Sequence, residues 1–343
     1  MHRIGHRAFA MGMAWVAFAA SASEVRRFGG ETMGTTWSAN VVLPKGANGD
    51  AIQQGIQAEL DTVVAQMSTY DDASDLSRFN RAPPGTWHTL PPEFFAVLRH
   101  ALALARDTGG AYDPTVGPLV NLWGFGPGER RRETPSAAAL AAARARVGWQ
   151  RIRLDEATQS AFQPGGVYVD LSSVAKGFGV DQVAAFLDRA GASAYLVEVG
   201  GELRAHGRKP DGSPWRVGVE RPGAAAGAVQ RQDELERVVV LDEKTIATSG
   251  DYRHFFEDGG RLFSHHIDPR TGTPVAHRVA SVSIVADDCL HADPLGTAMT
   301  VLGPEQGLAY AKRHGIAVLF ILHGDDGRLE ERMSPAFAAL AKP

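Results

Sequence analysis

Between Thr248 and Thr297 the chain gathers hydroxyls, imidazoles, turn glycines and carboxylates: T-S-G-D-Y-R-H-F-F, then S-H-H-I-D-P-R-T-G, then A-D-P-L-G-T. A domain does not need that density of polar side chains to fold. The mixture suits a site for a phosphate ester and a hard metal ion. Asp293 and Thr297 are four residues apart, so on a helix a carboxylate and a hydroxyl share one face. Such a pair is a hard oxygen site of the kind Mg²⁺ takes, with phosphate oxygens completing its octahedron. Asp before Pro is also a common helix start, and spacing alone supports both readings. His265 lies one strand-step before Asp268-Pro269-Arg270-Thr271-Gly272. Ordinary turn chemistry accounts for those five residues but not for the histidine, which can take a proton near neutral pH.

Four earlier segments have the same character. Thr32-Met33-Gly34-Thr35-Thr36 precedes a strand-like run, where its glycine either lets a ligand approach the backbone or simply makes a turn. Met67 to Asn80 runs from a helix end into a polar loop carrying Tyr70, which can stack on a planar ring; capping and turn chemistry explain the rest. Gly110 to Gly126 holds Ala111, Tyr112 and Asp113 among four glycines, two prolines and a tryptophan, a composition that demands a defined loop shape. Asp170-Leu171-Ser172-Ser173-Val174-Ala175-Lys176 brings an acid, two hydroxyls and a helix start together, which suits an anion or a hydroxyl-bearing ligand. Lys176 there opposes the helix dipole at a cost of a fraction of a kcal/mol, which favours a ligand role over solvent decoration.

The elements that must position these residues mix helices and strands. Trp37 to Leu43 has a strand's composition, and Ile52, Ile56, Leu60, Val63, Val64 and Met67 recur at helical spacing. A second helix is expected from Pro92 to Asp107, stopped by Gly109-Gly110, and a third opening at Thr134-Pro135. Val167 to Leu171 reads as a strand, with Ser172 or Ser173 capping a helix to about Ala190, then a strand Tyr195 to Val199. Trp215, Val217 and Val219 alternate, as do residues of Arg237 to Leu241. The end reads strand Ala280 to Ala286, helix Ala292 to Leu302, helix Pro304 to His314, strand Ile316 to Leu322. The order lacks the regular alternation of a doubly wound sheet, and no G-x-G-x-x-G follows a strand. The expected class is α+β, with mixed or antiparallel sheets and packed helices, not Rossmann.

Composition sets the bounds. The 343 residues are 44% hydrophobic and 22% charged, ordinary for a folded chain, and a net charge of −4 offers no basic surplus for nucleic acid. His2-Arg3 and His6-Arg7 precede an apolar run, Ala8 to Ala20, closed by Ala20-Ser21-Ala22. That run is too short to span a bilayer and reads as a cleavable secretory signal over residues 1–22, releasing an exported, periplasmic chain without a transmembrane segment. Cys289 is the only cysteine, so neither an internal disulfide nor a lipid-anchor cysteine after the signal is available.

Taken in order, the six segments resemble the ApbE family, the FAD:protein FMN transferases, from about Glu31 to past Leu302. The resemblance implies one domain over residues 23–340 with two lobes sharing an FAD cleft, Mg²⁺ on the pyrophosphate, and transfer of FMN to a Thr or Ser hydroxyl with release of AMP. It implies that Met33 and Tyr70 contact flavin or adenine portions of FAD. Ala111, Tyr112, Asp113, Asp170 and Lys176 would hold polar parts, and Ile267 would offer a backbone contact. Asp293 and Thr297 correspond to the metal's side-chain ligands, with the Ser173 carbonyl as a third. His265 corresponds to the histidine that assists proton transfer, with Asp268 or Asp251 as fallback bases. Two departures stand out: there is no lipobox cysteine, and Gly296 occupies a place where some relatives carry an acid. The implied acceptors are flavin-carrying subunits of membrane redox complexes of the NADH:quinone reductase or Rnf type. The same residues would also serve an FAD pyrophosphatase, and a flavin carrier would need only the FAD contacts.

Overall fold

The computed structural model describes residues 24–127, 133–222, 235–250, 255–258, 261–324, 326 and 328–340. The expected signal segment and Asp251 lie outside them. An eight-stranded sheet organises the chain, in the spatial order Val25–Thr32, Thr35–Val42, Ala194–Val199, Glu202–His206, Thr245–Gly250, Val279–Ala286, Ala317–His323 and Leu329–Met333. Every neighbouring pair is antiparallel. The α+β expectation holds.

Alternation along each strand assigns residues to two covered faces. On one face Trp37, Val41, Tyr195 and Val197 pack with Ile52, Ile56 and Leu60 of helix Gly49–Met67 and with Val180, Val183 and Leu187 of helix Ala175–Arg189. Farther along that face, Val282, Ile284, Val318 and Phe320 meet Met299 and Tyr310 of helix Cys289–His314. The opposite face buries Ala194, Val285, Leu319 and Ile321 under the hairpin Trp215–Glu220/Leu235–Leu241 and Phe337. Burial on both faces is why Val279–Ala286 and Ala317–His323 are nearly continuous apolar runs rather than alternating ones. A further core joins helices Asp75–Asn80 and Pro92–Asp107 to the small sheet of Thr86–Thr89, Ser160–Gln163 and Arg153–Asp155.

Several expectations need correction. Val167, Val169 and Leu171 are buried, but the segment is not a strand. Its partner is a side chain: the Asn80 amide accepts from Val169 N and donates to Val169 O, both at 2.8 Å, while Asp170 N donates to Pro114 O. A side-chain amide satisfies the backbone here in place of a neighbouring strand. Neither Ser172 nor Ser173 caps the next helix, which begins at Ala175 behind Val174. The helix expected to open at Thr134-Pro135 starts at Ala137 with Ser136 as its cap. The two helices expected from Ala292 and Pro304 are both present within Cys289–His314, separated where Gly303 takes a non-helical φ of 73° ahead of Pro304; only the start differs, at Cys289 rather than Ala292. Helix Pro92–Asp107 has the expected bounds, and Gly109 and Gly110 beyond it are left-handed (φ 60° and 81°).

Candidate flavin-transfer site

Two helices and one hairpin build the first group of site residues. Asp288 caps helix Cys289–His314 by accepting from His291 N, which leaves Asp293 in the second turn and removes it from a capping role. Asp293 is 3% exposed, and Thr297 follows one turn later on the same face. Asp293 Oδ2 accepts from Gly177 N at 2.9 Å, so a carboxylate from one helix satisfies an orphan amide at the N-terminus of helix Ala175–Arg189. The approach needs a glycine: a Cβ at Gly177 would lie 2.3 Å from Cys289 O and 2.7 Å from Asp293 Cβ. Farther along that helix Asp181 accepts from Cys289 N and Leu290 N, and pairs with Arg204 at 2.5 Å. The two helices are therefore locked at two points, each a charge-assisted hydrogen bond of ~1.5–3 kcal/mol.

Charge is concentrated around Asp293. Lys176 Nζ lies 3.0 Å from Glu202 Oε1 and 3.7 Å from Asp293 Oδ1. Burial pushes the Asp293 carboxyl up, against Lys176 and the Gly177 amide, which pull it down. Glu202 is pushed up by burial as well, with Lys176 opposing and Asp293 adding to the rise. Tyr112 is 2% exposed, and its phenol is raised above its usual value by burial. A hydrogen bond from Ser173 Oγ at 3.3 Å opposes that rise, while the Asp293, Asp170 and Asp113 carboxylates add to it. Ser173, Asp170, Tyr112 and Asp293 thus share one electrostatic neighbourhood.

The Thr32–Thr36 segment is the tip of the first hairpin, with Met33 (φ 49°) and Gly34 (φ 73°) both left-handed, and Glu31 to Thr35 line a cavity of ≈ 450 Å³. That tip adjoins Lys176: a Cβ at Gly200 would be 2.8 Å from Thr35 Cγ2 and 3.1 Å from Lys176 Cδ. Tyr70 is 70% exposed, and its hydroxyl adds to the upward shift of half-buried Tyr168, after burial and Asp170. Tyr168 packs against Gly117, where a Cβ would sit 2.3 Å from its ring.

The second group surrounds the histidines. His265 falls between strands Arg261–Ser264 and Ile267–Asp268, its ring 4.0 Å from His266 and 6.3 Å from Phe125 between centroids. His266 is buried and held well below the usual histidine range by that burial, with His265 and His277 adding. Trp123 Nε1 donates to Gly272 O at 2.9 Å, and Trp123, Leu119, Phe263 and buried Ile267 form one apolar cluster. The segment from Gly110 to Gly126, a loop interrupted by the short helix Gly117–Leu122, therefore spans both groups, with Tyr112 in the first and Trp123 and Phe125 in the second.

Two expected site residues are occupied elsewhere. Asp113 accepts from Thr115 N and Oγ1 through Oδ1 and from Trp149 N through Oδ2, so it shapes the loop rather than facing a ligand. Asp268 takes the Arg270 guanidinium on both oxygens at 2.9 Å, which braces the turn and leaves it poorly placed as a fallback base. Ala111 is also buried, and its N–H donates to Thr108 O. Gly296 leaves room for Ser249, whose Oγ would lie 2.7 Å from a Cβ there, so an acid at that position would displace the serine.

Sequence reasoning missed Glu202, Gly177, Asp181 and Tyr168. Gly200-Gly201 reads as a strand end, and the glutamate just after it was the available signal. Nothing local marks Asp181, whose partners are 23 and more than 100 residues away.

Comparison with protein families matches residues 33–320 to the ApbE family. The chain belongs to that family. A Haemophilus influenzae protein named FAD:protein FMN transferase is 42% identical over 328 residues, 93% of this chain and 92% of that protein. Among solved structures, the apo flavinyl transferase ApbE of Pseudomonas stutzeri superposes with a TM-score of 0.85 at 39% identity, covering 93% of this chain and 97% of that one. The flavin transferase ApbE of Vibrio cholerae gives 0.83 at 39% identity, covering 93% and 99%. The ApbE fold and the α+β architecture described above coincide. No helix among the described residues is long and apolar enough to cross a membrane.

Proposed function

We propose that this chain is a Mg²⁺-dependent FAD:protein FMN transferase acting on a Thr or Ser hydroxyl of an exported or membrane-anchored acceptor. The observation that carries the reading is the buried Asp293, fixed by Gly177 N, with Thr297 one turn beyond and Ser173 at the facing helix start. A buried carboxylate, a hydroxyl and a backbone carbonyl are hard oxygen donors, and that set fits Mg²⁺. When bound, the ion would neutralise the pyrophosphate and the charge growing on the departing AMP.

The protein's own groups do the rest. FAD would lie in the cleft shared by the two lobes, along the hairpin tip at Met33, past Tyr70 and Asp170, with Ile267 offering its backbone. Lys176 would lie along the same ligand. The acceptor hydroxyl oxygen attacks the phosphorus on the FMN side, and the bond from that phosphorus to the bridging oxygen breaks. AMP leaves with that oxygen, and the hydroxyl proton passes to the His265 imidazole acting as general base. Holding the two reactants in line supplies much of the acceleration. Residues 1–22 would direct export, and flavin-carrying subunits of NADH:quinone reductase or Rnf-type complexes are the acceptors of matching chemistry.

The test is incubation with FAD, Mg²⁺ and such an acceptor, followed by in-gel flavin fluorescence and AMP assay. Fluorescence on the acceptor with matching AMP is expected. Free FMN and AMP with an unlabelled acceptor would mean a pyrophosphatase. FAD binding without Mg²⁺ dependence or AMP release would mean a carrier.

A further inference from the structure

Glu202 has the least explained environment around Asp293. Its side chain is 3% exposed, Oε1 accepts from Lys176, and Oε2 is buried without a hydrogen-bond partner among the described residues. One ammonium thus stands between two buried carboxylates and lies closer to Glu202, at 3.0 Å, than to Asp293, at 3.7 Å. The bias is built by the backbone. Lys176 leaves the first turn of its helix with its stem against Gly200, and Glu202 begins the strand just beyond that turn. Two residues along the same strand face, Arg204 pairs with Asp181 of the same helix, with the signs of the charges reversed. That second rung ties the same helix to the same strand.

An ammonium and a divalent cation compete for the same carboxylate, because a buried ion takes whatever opposite charge lies within reach. Lys176 needs less than about 1 Å of side-chain movement to reach the ~2.8 Å of a charge-assisted bond to Asp293. Resting on the metal reading of Asp293, we propose that Glu202 is a positioning residue that holds Lys176 away from Asp293 and so leaves that carboxylate open to a divalent cation. Lys176 is then an intramolecular competitor restrained by Glu202. Without that acceptor the ammonium closes onto Asp293 and the cation is displaced.

The experiment titrates Mn²⁺ alone into the full chain without FAD, reading free Mn²⁺ by electron paramagnetic resonance. Glu202→Ala is expected to weaken Mn²⁺ binding roughly tenfold and Lys176→Met to tighten it, as the Coulomb competition demands. The double variant should bind like Lys176→Met, a rescue that a merely structural role for Glu202 would not produce. Unchanged affinity in a folded Glu202→Ala would overturn the proposal. If that variant fails to fold, Lys176→Met decides alone: equal or weaker Mn²⁺ binding overturns it. Failure of the wild type to bind Mn²⁺ would overturn the metal reading of Asp293 and this inference with it, whereas a wild type that binds with indifferent variants overturns this inference only.

Discussion

Replacing Gly177 by alanine adds one methyl group where two helices meet with no space between them. Helix propensity alone favours the change by about 1 kcal/mol, since alanine is the better helix former. The methyl would lie 2.3 Å from Cys289 O, 2.9 Å from Cys289 C and 2.7 Å from Asp293 Cβ. Two of these atoms are backbone, so relief requires the helices to part by about 1 Å rather than a rotamer to turn. Overpacking of that kind costs ~1–3 kcal/mol. Parting also stretches the 2.9 Å bond from Gly177 N to Asp293, a charge-assisted interaction of ~1.5–3 kcal/mol. The net expectation is ~2–4 kcal/mol of destabilisation, or a melting temperature lower by roughly 5–10 °C. Gly179→Ala is the matched control on the same helix. Its methyl would meet Met33 Cε at 3.1 Å and Leu60 Cδ2 at 3.2 Å, both ends of side chains that can turn away. It should melt within about 2 °C of the wild type. Calorimetry and Mn²⁺ titration of both variants give the comparison. A Gly177→Ala protein that melts with the wild type and binds Mn²⁺ equally would refute the claim that this approach fixes Asp293.

Three further outcomes follow from the same structure. His265→Ala should retain FAD binding by fluorescence titration while losing most acceptor labelling; wild-type transfer rates would remove His265 from the proton step. Asp113→Ala strands the Thr115 and Trp149 amides and should lower the urea unfolding free energy by ~2–4 kcal/mol, with a stability near wild type showing that the loop does not need this brace. His100 is held down to about 4 from 6.5, first by burial and then by the charge on His291. Its folded state binds the proton more weakly than the unfolded chain, so stability is present above pH 6.5 and is lost as pH falls through 4. This group accounts for roughly 2 kcal/mol of the decline by pH 4.5. His100→Leu should flatten the loss of urea midpoint between pH 7 and 4.5, and an unchanged slope would place the acid sensitivity elsewhere.

The features legible in the sequence are those whose cause is local. Helix Pro92–Asp107 could be bounded because its apolar spacing, its opening proline and its closing glycines all act within a few residues. The pairing of Asp293 with Thr297 was legible for the same reason, since four residues make one helical turn wherever the helix lies. Val167 to Leu171 misled because its apolar alternation is real while its hydrogen-bond partner, Asn80, is 89 residues away. Ser172 and Ser173 misled because the amides a cap there would take, Val174 N and Ala175 N, already donate to Leu171 O.

By itself the sequence determined the residue chemistry available: the hydroxyls, imidazoles and carboxylates, their order along the chain, and the α+β mixture of elements that carry them. Only the tertiary structure decided which carboxylates meet. Asp113 and Asp268 are taken up in shaping their loops, whereas Asp293 and Glu202 converged on one lysine from different elements. The reason is range. Propensity and spacing act over one or two turns, whereas desolvation and Coulomb forces depend on distances that only the packing of helices against a sheet can set.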